Sequence, residues 1–261
     1  MTIDTIITVK DYRLSHTEER IARQYEEVLY KEGSYDDMLW KWEQGVLARE
    51  VGNLRKTVGR VDYLDFGCGT GRILLFLENL TESAVGVDNA EAMLMRARAR
   101  VQKAEIICAD ITQTDVLVGQ QFDLITVFRI FLNAQPMLRD EMCTVLVPKL
   151  RDENSLFIFN IHGNLMSYRL FSKLWYMLRG RRLNTMTVHT ARKLAEQHGL
   201  EVVRWYGFGV QPKFLYRWLG SRFMFAVDTF LSRIPGMKYV SYDLVFVCRQ
   251  ARKSQWRKAR Q

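Results

Sequence analysis

Twelve residues constrain this chain more than any others: Val61-Asp62-Tyr63-Leu64-Asp65-Phe66-Gly67-Cys68-Gly69-Thr70-Gly71-Arg72. The first half is mostly apolar with aromatic and β-branched members, the composition of a buried strand. It stops at three glycines spaced two apart, and helical apolar spacing resumes through Ile73, Leu74, Leu75, Phe76 and Leu77. Glycine at alternate positions lets the backbone turn sharply and approach a ligand with no Cβ in between. The helix that follows offers free N–H groups and a positive dipole end to an anionic or polar group. The stretch therefore reads as a strand-loop-helix ligand cradle, with an ordinary glycine-rich turn as the competing reading.

Spacing narrows the ligand. A dinucleotide fingerprint, G-x-G-x-x-G, would put its third glycine at Arg72, and no Gly-Lys-Ser/Thr phosphate loop is present. With Asp65 two residues before Gly67, the pattern D-x-G-x-G-x-G resembles motif I of the class I S-adenosylmethionine-dependent methyltransferases. The resemblance implies that Gly67, Gly69 and Gly71, with Asp65, serve the amino-acid end of S-adenosylmethionine. It also implies an α/β fold: a seven-stranded, mostly parallel sheet in the order 3-2-1-4-5-7-6, the last strand antiparallel, with helices on both faces.

The segments downstream fit that sheet. Ser83 to Asp88 reads as a second strand ending in an acid, placed to accept hydrogen bonds from both ribose hydroxyls of a nucleoside. A helix-capping role for Asp88 competes with that assignment. The following helix is expected from Asn89, a capping residue, to Val101, with Arg96, Arg98 and Arg100 toward its end. A third strand, Ala104 to Ala109, leads into Asp110-Ile111, which resembles the family's adenine-recognising motif, an Asp side chain followed by a backbone N–H. The fourth strand runs from Phe122 to Phe128, and Phe128 is assigned to the cofactor site. No Asn/Asp-Pro-Pro-Tyr/Phe follows it, which argues against nucleobase or glutamine amines as acceptors.

A helix from Pro136 to Lys149 should turn Met137, Met142, Val145 and Leu146 inward, and a fifth strand should run from Ser155 to His162. Asn160, His162 and Asn164 alternate and so point the same way. With Arg129 and Asn133 from the neighbouring strand end they form a polar cluster where an acceptor would sit; tying down loops is the competing role. His162 is the candidate general base, because a free histidine titrates near neutrality, and Arg129 would hold an anionic or polar part of the acceptor. Asn133, Asn160, Asn164 and Tyr35 are the candidate acceptor contacts.

Residues 17–56 read as two amphipathic helices broken at Gly33-Ser34, resembling the N-terminal cap that many small-molecule methyltransferases lay over the cofactor. Tyr30, Tyr35 and Trp40 can meet ligand there or simply pack. Two insertions, 163–186 and 211–240, are aromatic and basic; they bracket a crossover helix at Thr190 to His198 and a sixth strand at Glu201 to Phe208, and Asp243 to Arg249 closes the sheet. The whole reads as one domain: a cap at 1–56, a cofactor-binding half at 57–162, the two lid insertions, and a basic tail at 250–261.

The chain carries a formal charge of +9, and six Lys/Arg among its last thirteen residues leave only +3 elsewhere. Such a tail is a solvated end, or touches RNA or an anionic membrane. Four cysteines without metal-like spacing suggest reduced thiols in the cytoplasm and no metal site. No secretory pattern opens the sequence, and no apolar run approaches membrane-spanning length. The expected function is O- or N-methylation of a small or amphipathic acceptor: a lipid, a quinone-like ring, or a lipid- or nucleotide-linked sugar. Peripheral contact with an anionic membrane fits the insertions. An RNA methyltransferase and a non-catalytic cofactor-binding partner protein are the alternatives, and the oligomeric state is open.

Overall fold

The structure, a computed structural model, describes residues 12–14 and 32–251. The expected helix around Ile21 to Leu29, with Tyr30, and the tail from Arg252 onward lie outside the described residues. Strands β1 (Asp62–Phe66), β2 (Ser83–Asp88), β3 (Glu105–Cys108), β4 (Leu124–Val127), β5 (Leu156–His162), β6 (Leu200–Phe208) and β7 (Asp243–Gln250) form one sheet. Its order is β3-β2-β1-β4-β5-β7-β6, as expected. β1 to β5 pair in parallel, and β7 runs antiparallel between β5 and β6.

Eight α-helices of the described residues surround the sheet: α1 (Tyr35–Val58), α2 (Arg72–Leu77), α3 (Glu91–Arg98), α4 (Pro136–Leu146), α5 (Arg169–Leu178), α6 (Val188–Gln197), α7 (Lys213–Leu219) and α8 (Ser221–Leu231). α1 begins where Gly33 (φ +76°) frees the turn and the Ser34 hydroxyl caps the Asp37 N–H at 3.1 Å. Its apolar stripe, including Leu39, Val46, Leu47, Val51 and Leu54, packs with Tyr63, Leu124, Leu156 and Val245 on one face of the sheet. The other face carries Leu64, Ile125, Phe157 and Phe246 with Leu138 and Leu146 from α4 and Leu194 from α6. Alternation along each strand splits the core in this way, since successive side chains go to opposite faces.

Three expectations need correction. The helix after β2 starts at Glu91 with Ala90 in the capping position and no side-chain cap. Asn89 is turned away, donating from Nδ2 to the Arg13 carbonyl at 3.0 Å. Met137 is exposed, because it lies in the first turn of α4 beyond the edge of the core. That helix ends at Leu146 and passes into a short 3-10 turn, Val147–Lys149, containing Pro148.

Candidate active site

At the carboxyl end of β1 the three glycines all adopt positive φ, +68° at Gly67, +54° at Gly69 and +77° at Gly71. Their roles differ. A Cβ on Gly67 would fall 2.1 Å from Ile130 Cδ1, and one on Gly71 would fall 3.0 Å from Ala97 Cβ. A Cβ on Gly69 would meet nothing within 4 Å. The outer glycines are needed for packing, whereas Gly69 keeps a space open at the centre of the loop. That open, left-handed position is what a backbone cradle for the amino-acid end of a cofactor requires.

The neighbouring strand tips converge on this loop. Phe66 is in register with Val87, and Asp88 with Cys108, so the ends of β1, β2 and β3 lie side by side. Asp88 accepts from the Gly69 N–H at 2.9 Å through Oδ2 and from the Ala90 N–H at 2.8 Å through Oδ1. Burial raises its pKa despite these bonds. Asp88 thus joins the glycine loop to the start of α3, which is the capping role considered for it. Asp110 accepts from the Thr112 N–H and hydroxyl and pairs with Arg13 Nε at 2.8 Å. Ile111 and Phe128 are buried in the two halves of the core.

The turn Tyr12–Leu14 lies across these tips. Tyr12 donates from its hydroxyl to the Arg129 carbonyl at 3.2 Å, and Arg13 reaches Glu141 and the Thr112 hydroxyl besides Asp110. No motif in the sequence marks this turn, and only its long-range partners place it. Asp65 sits beneath the loop. The Tyr63 hydroxyl bonds to the Thr126 hydroxyl, which donates to Asp65 Oδ1, each at 2.7 Å. Burial pushes the Asp65 carboxyl up to about 7, against the bonds from Thr126 and Tyr63, and its Oδ2 is sealed without a hydrogen-bond partner.

Beside the cradle, a second group of polar side chains is built around Glu43, a fully buried carboxylate on the apolar stripe of α1. Its oxygens meet Arg72 Nη1 at 3.1 Å and Arg129 Nη2 at 3.2 Å. Asn160 Nδ2 bridges Glu43 and Asp243 at 3.1 Å each, and Asn160 Oδ1 accepts the Arg129 N–H at 2.6 Å. Burial alone would raise the Glu43 pKa, but Arg129, Arg72 and a bond from Asp243 together hold it below its usual value. Asp243 goes the opposite way: burial and the Glu43 charge hold it well above the carboxylate range, so it carries the proton. Arg129 is the one non-glycine among the described residues with positive φ, +64°. These bonds hold it in that sparsely populated conformation.

His162 ends β5 opposite Asp243. Its Nδ1 is buried with no hydrogen-bond partner. Burial first, then the charges of Arg129, Arg169 and Lys213, drive its pKa well below that of free histidine. The ring is neutral and, as it stands, a weaker base than the free residue, which corrects the near-neutral value expected for it. Arg169 Nη2 donates to the Tyr242 hydroxyl at 3.1 Å, and the Lys213 ammonium lies 5.3 Å from the Tyr35 ring and 3.4 Å from Asp36.

The structure therefore joins Arg129, Asn160 and His162, but separates the other candidates. Asn160 is sealed from solvent and positions Arg129 instead of facing an acceptor. Asn164 is also fully buried; its Nδ2 donates to the Tyr239 and Ser241 carbonyls, and its Oδ1 accepts from Met166. Asn133 bonds to Asn184 at 3.3 Å. Tyr35 is buried edge-on against Tyr216 and Tyr242. Glu43, Arg72, Asp243, Arg169 and Lys213 were not anticipated. The one available signal was Glu43, an acid in helical register with Leu39 and Leu47.

Comparison with known proteins agrees with this geometry. Residues 64–149 match a family described as methyltransferase domain. No curated protein sequence matches the chain. Among solved structures, magnesium protoporphyrin IX methyltransferase from Synechocystis PCC 6803, with bound SAH, superposes with a TM-score of 0.58 at 14% identity, covering 89% of this chain and 99% of that one. The N-methyltransferase NodS from Bradyrhizobium japonicum WM9, in complex with S-adenosyl-L-homocysteine, gives 0.57 at 14% identity, covering 91% and 100%. A methyltransferase from Mesorhizobium loti gives 0.52 at 18% identity, covering 76% and 96%. Residues 64–149 are thus a methyltransferase domain, and the glycine loop and sheet order built around them have the fold of the class I S-adenosylmethionine-dependent methyltransferases.

Proposed function

We propose that this enzyme methylates an oxygen or nitrogen of a small, amphipathic acceptor that carries an anionic group. The observation that carries this reading is His162 at the end of β5, its Nδ1 buried without a hydrogen-bond partner and within the electrostatic reach of Arg129, Arg169 and Lys213. Gly67, Gly69, Gly71 and Asp88 would hold the cofactor, with Asp110 and the Ile111 backbone toward its base. When bound, S-adenosylmethionine supplies an electrophilic methyl group on a sulfonium.

The chain's own residues then have to align and deprotonate the acceptor. Arg129, Arg169 and Lys213 suit an acceptor carboxylate or phosphate, since charged donors make the strongest bonds to such groups. An anion placed among them offsets the part of the His162 depression that comes from their charges, the larger part being burial, so acceptor binding moves the base toward its free strength. Asn160 and Glu43 keep Arg129 in place, and Glu43 ties it to Arg72 at the head of α2. The stacked rings of Tyr168 and Tyr242 supply the apolar part of the same region.

Incubation with methyl-labelled cofactor and a fractionated cell extract tests the reading. Label is expected in an anionic lipid or soluble-metabolite fraction. Label in RNA, or in no fraction, overturns it.

A further inference from the structure

A helix on the surface of a water-soluble protein normally turns its apolar stripe inward. α5 does the reverse. Its one buried residue is Arg169, while Leu170, Phe171, Leu174, Trp175 and Leu178, which share one side of the helix, are exposed, Phe171 and Leu178 each to 76%. The orientation is pinned from below: Arg169 bonds to Tyr242, and Lys173 Nζ donates to the Thr185 hydroxyl at 3.0 Å. α7 and α8 repeat the arrangement. Tyr216, Met224 and Asp228 face in, while Phe214, Trp218, Phe223 and Phe230 face out, Trp218 to 82%. Of nineteen exposed large apolar residues among the described ones, fifteen fall between Met166 and Val240. Isolated exposed apolar residues are ordinary, but concentration of this order marks a contact surface.

The two segments share a root and a charge. Both leave the sheet where His162, Asp243 and Phe208 are in register, and Asn164 ties one to the other through the Tyr239 and Ser241 carbonyls. Residues 163–186 and 211–240 together hold ten Lys/Arg and a single acid, Asp228, which is buried. Arg179, Arg181, Arg182, Arg217, Arg222 and Arg233 are exposed. The Arg179 guanidinium covers the Trp175 ring at 4.0 Å, an apolar and a cationic group presented together. A second copy of this chain would bring two such cationic faces together, whereas an anionic surface complements both features at once.

We propose that the outward faces of α5, α7 and α8 dock on the anionic leaflet of a lipid bilayer. The protein rests on the surface without crossing it: α5 has ten residues, α7 seven and α8 eleven, and no helix of the described residues is long and apolar enough to span. The inference stands apart from the identity of the acceptor.

Flotation of the full chain with vesicles tests it. Binding is expected to vesicles of phosphatidylcholine containing about a third phosphatidylglycerol, to be at least ~10-fold weaker with phosphatidylcholine alone, and to weaken with added salt. The combined variant Phe171→Ser, Trp175→Ser, Trp218→Ser should bind the anionic vesicles at least ~10-fold more weakly. Its calorimetric affinity for S-adenosylhomocysteine should be unchanged, which shows that the cofactor half is intact. The proposal is overturned by absent flotation, by flotation that survives the three substitutions, by equal binding to both vesicles, or by a light-scattering dimer that the substitutions dissolve.

Discussion

The cofactor half and the two insertions handle polar groups in opposite ways. Around the tips of β1 to β4 polar side chains sit at strand ends or are sealed beneath them against neighbours: Asp88 to the Gly69 N–H, Asp65 Oδ1 to Thr126, and Glu43 of α1 to Arg72 and Arg129. In the insertions polar side chains root the helices and apolar ones meet solvent. The first region is built to keep one geometry, because an unmatched buried charge is costly. The second exposes a concentrated apolar surface to solvent.

The contrast can be broken experimentally, beginning with catalysis. His162→Ala is expected to lower kcat/KM toward the labelled acceptor by about 10²- to 10⁴-fold, the usual worth of a positioned base. Calorimetric affinity for S-adenosylhomocysteine should stay the same; full turnover in that variant removes the base from the scheme.

Stability comes next. Glu43→Gln leaves Arg72 and Arg129 facing a neutral group and should cost about 3–5 kcal/mol in urea denaturation. Glu50→Gln, on the same helix, is the comparison. Its partner Arg204 is 45% exposed, so water takes over part of the lost interaction and a smaller loss is expected. Equal losses would mean that burial on α1, and not the site's charge network, sets the cost. Because Glu43 is held below its unfolded pKa, its contribution is present above the ordinary carboxylate range and fades as pH falls through the lower native value.

The glycine loop separates packing from binding. Gly67→Ala meets Ile130 in a left-handed position and should cost about 3 kcal/mol of stability, adding strain to overpacking. Gly69→Ala bears the strain alone, about 1 kcal/mol, yet should weaken S-adenosylhomocysteine binding by roughly tenfold or more by filling the open centre. The reverse order of the two effects would exclude Gly69 from the cradle.

The last effect is spread over pH and concerns Asp65. Its native pKa of about 7 lies above the unfolded value of about 3.9, so the stabilising native protonation is complete below that lower value. It is lost as pH rises toward 7, by up to about 1.4 kcal/mol per unit, and the curve is flat beyond. Asp65→Asn should lack this slope when urea midpoints at pH 5 and pH 8 are compared; an identical slope would show that another group titrates.

What could be read in advance follows from the range of the interactions. The glycine loop, the seven strands and the acids at their tips depend on residues a few positions apart, so Asp88 and Asp110 could be placed by counting. Asn164 was misassigned because alternation continues only while the strand does, and β5 ends at His162. Arg169 could not be read as a root, because helical periodicity gives a stripe but not the direction it faces. Glu43 and Arg129 lie 86 positions apart, and Glu43 and Asn160 117 apart.

Local sequence alone determined the strands and their turning point at Gly67 to Gly71, since φ preferences and side-chain alternation are properties of short stretches, while the sheet order and the class of cofactor came with the family resemblance those residues carry. Tertiary structure alone decided which carboxylate holds the proton, what depresses His162 and which way α5 faces. Those outcomes depend on burial and on charges brought together by chain closure, and neither exists until the sheet has formed.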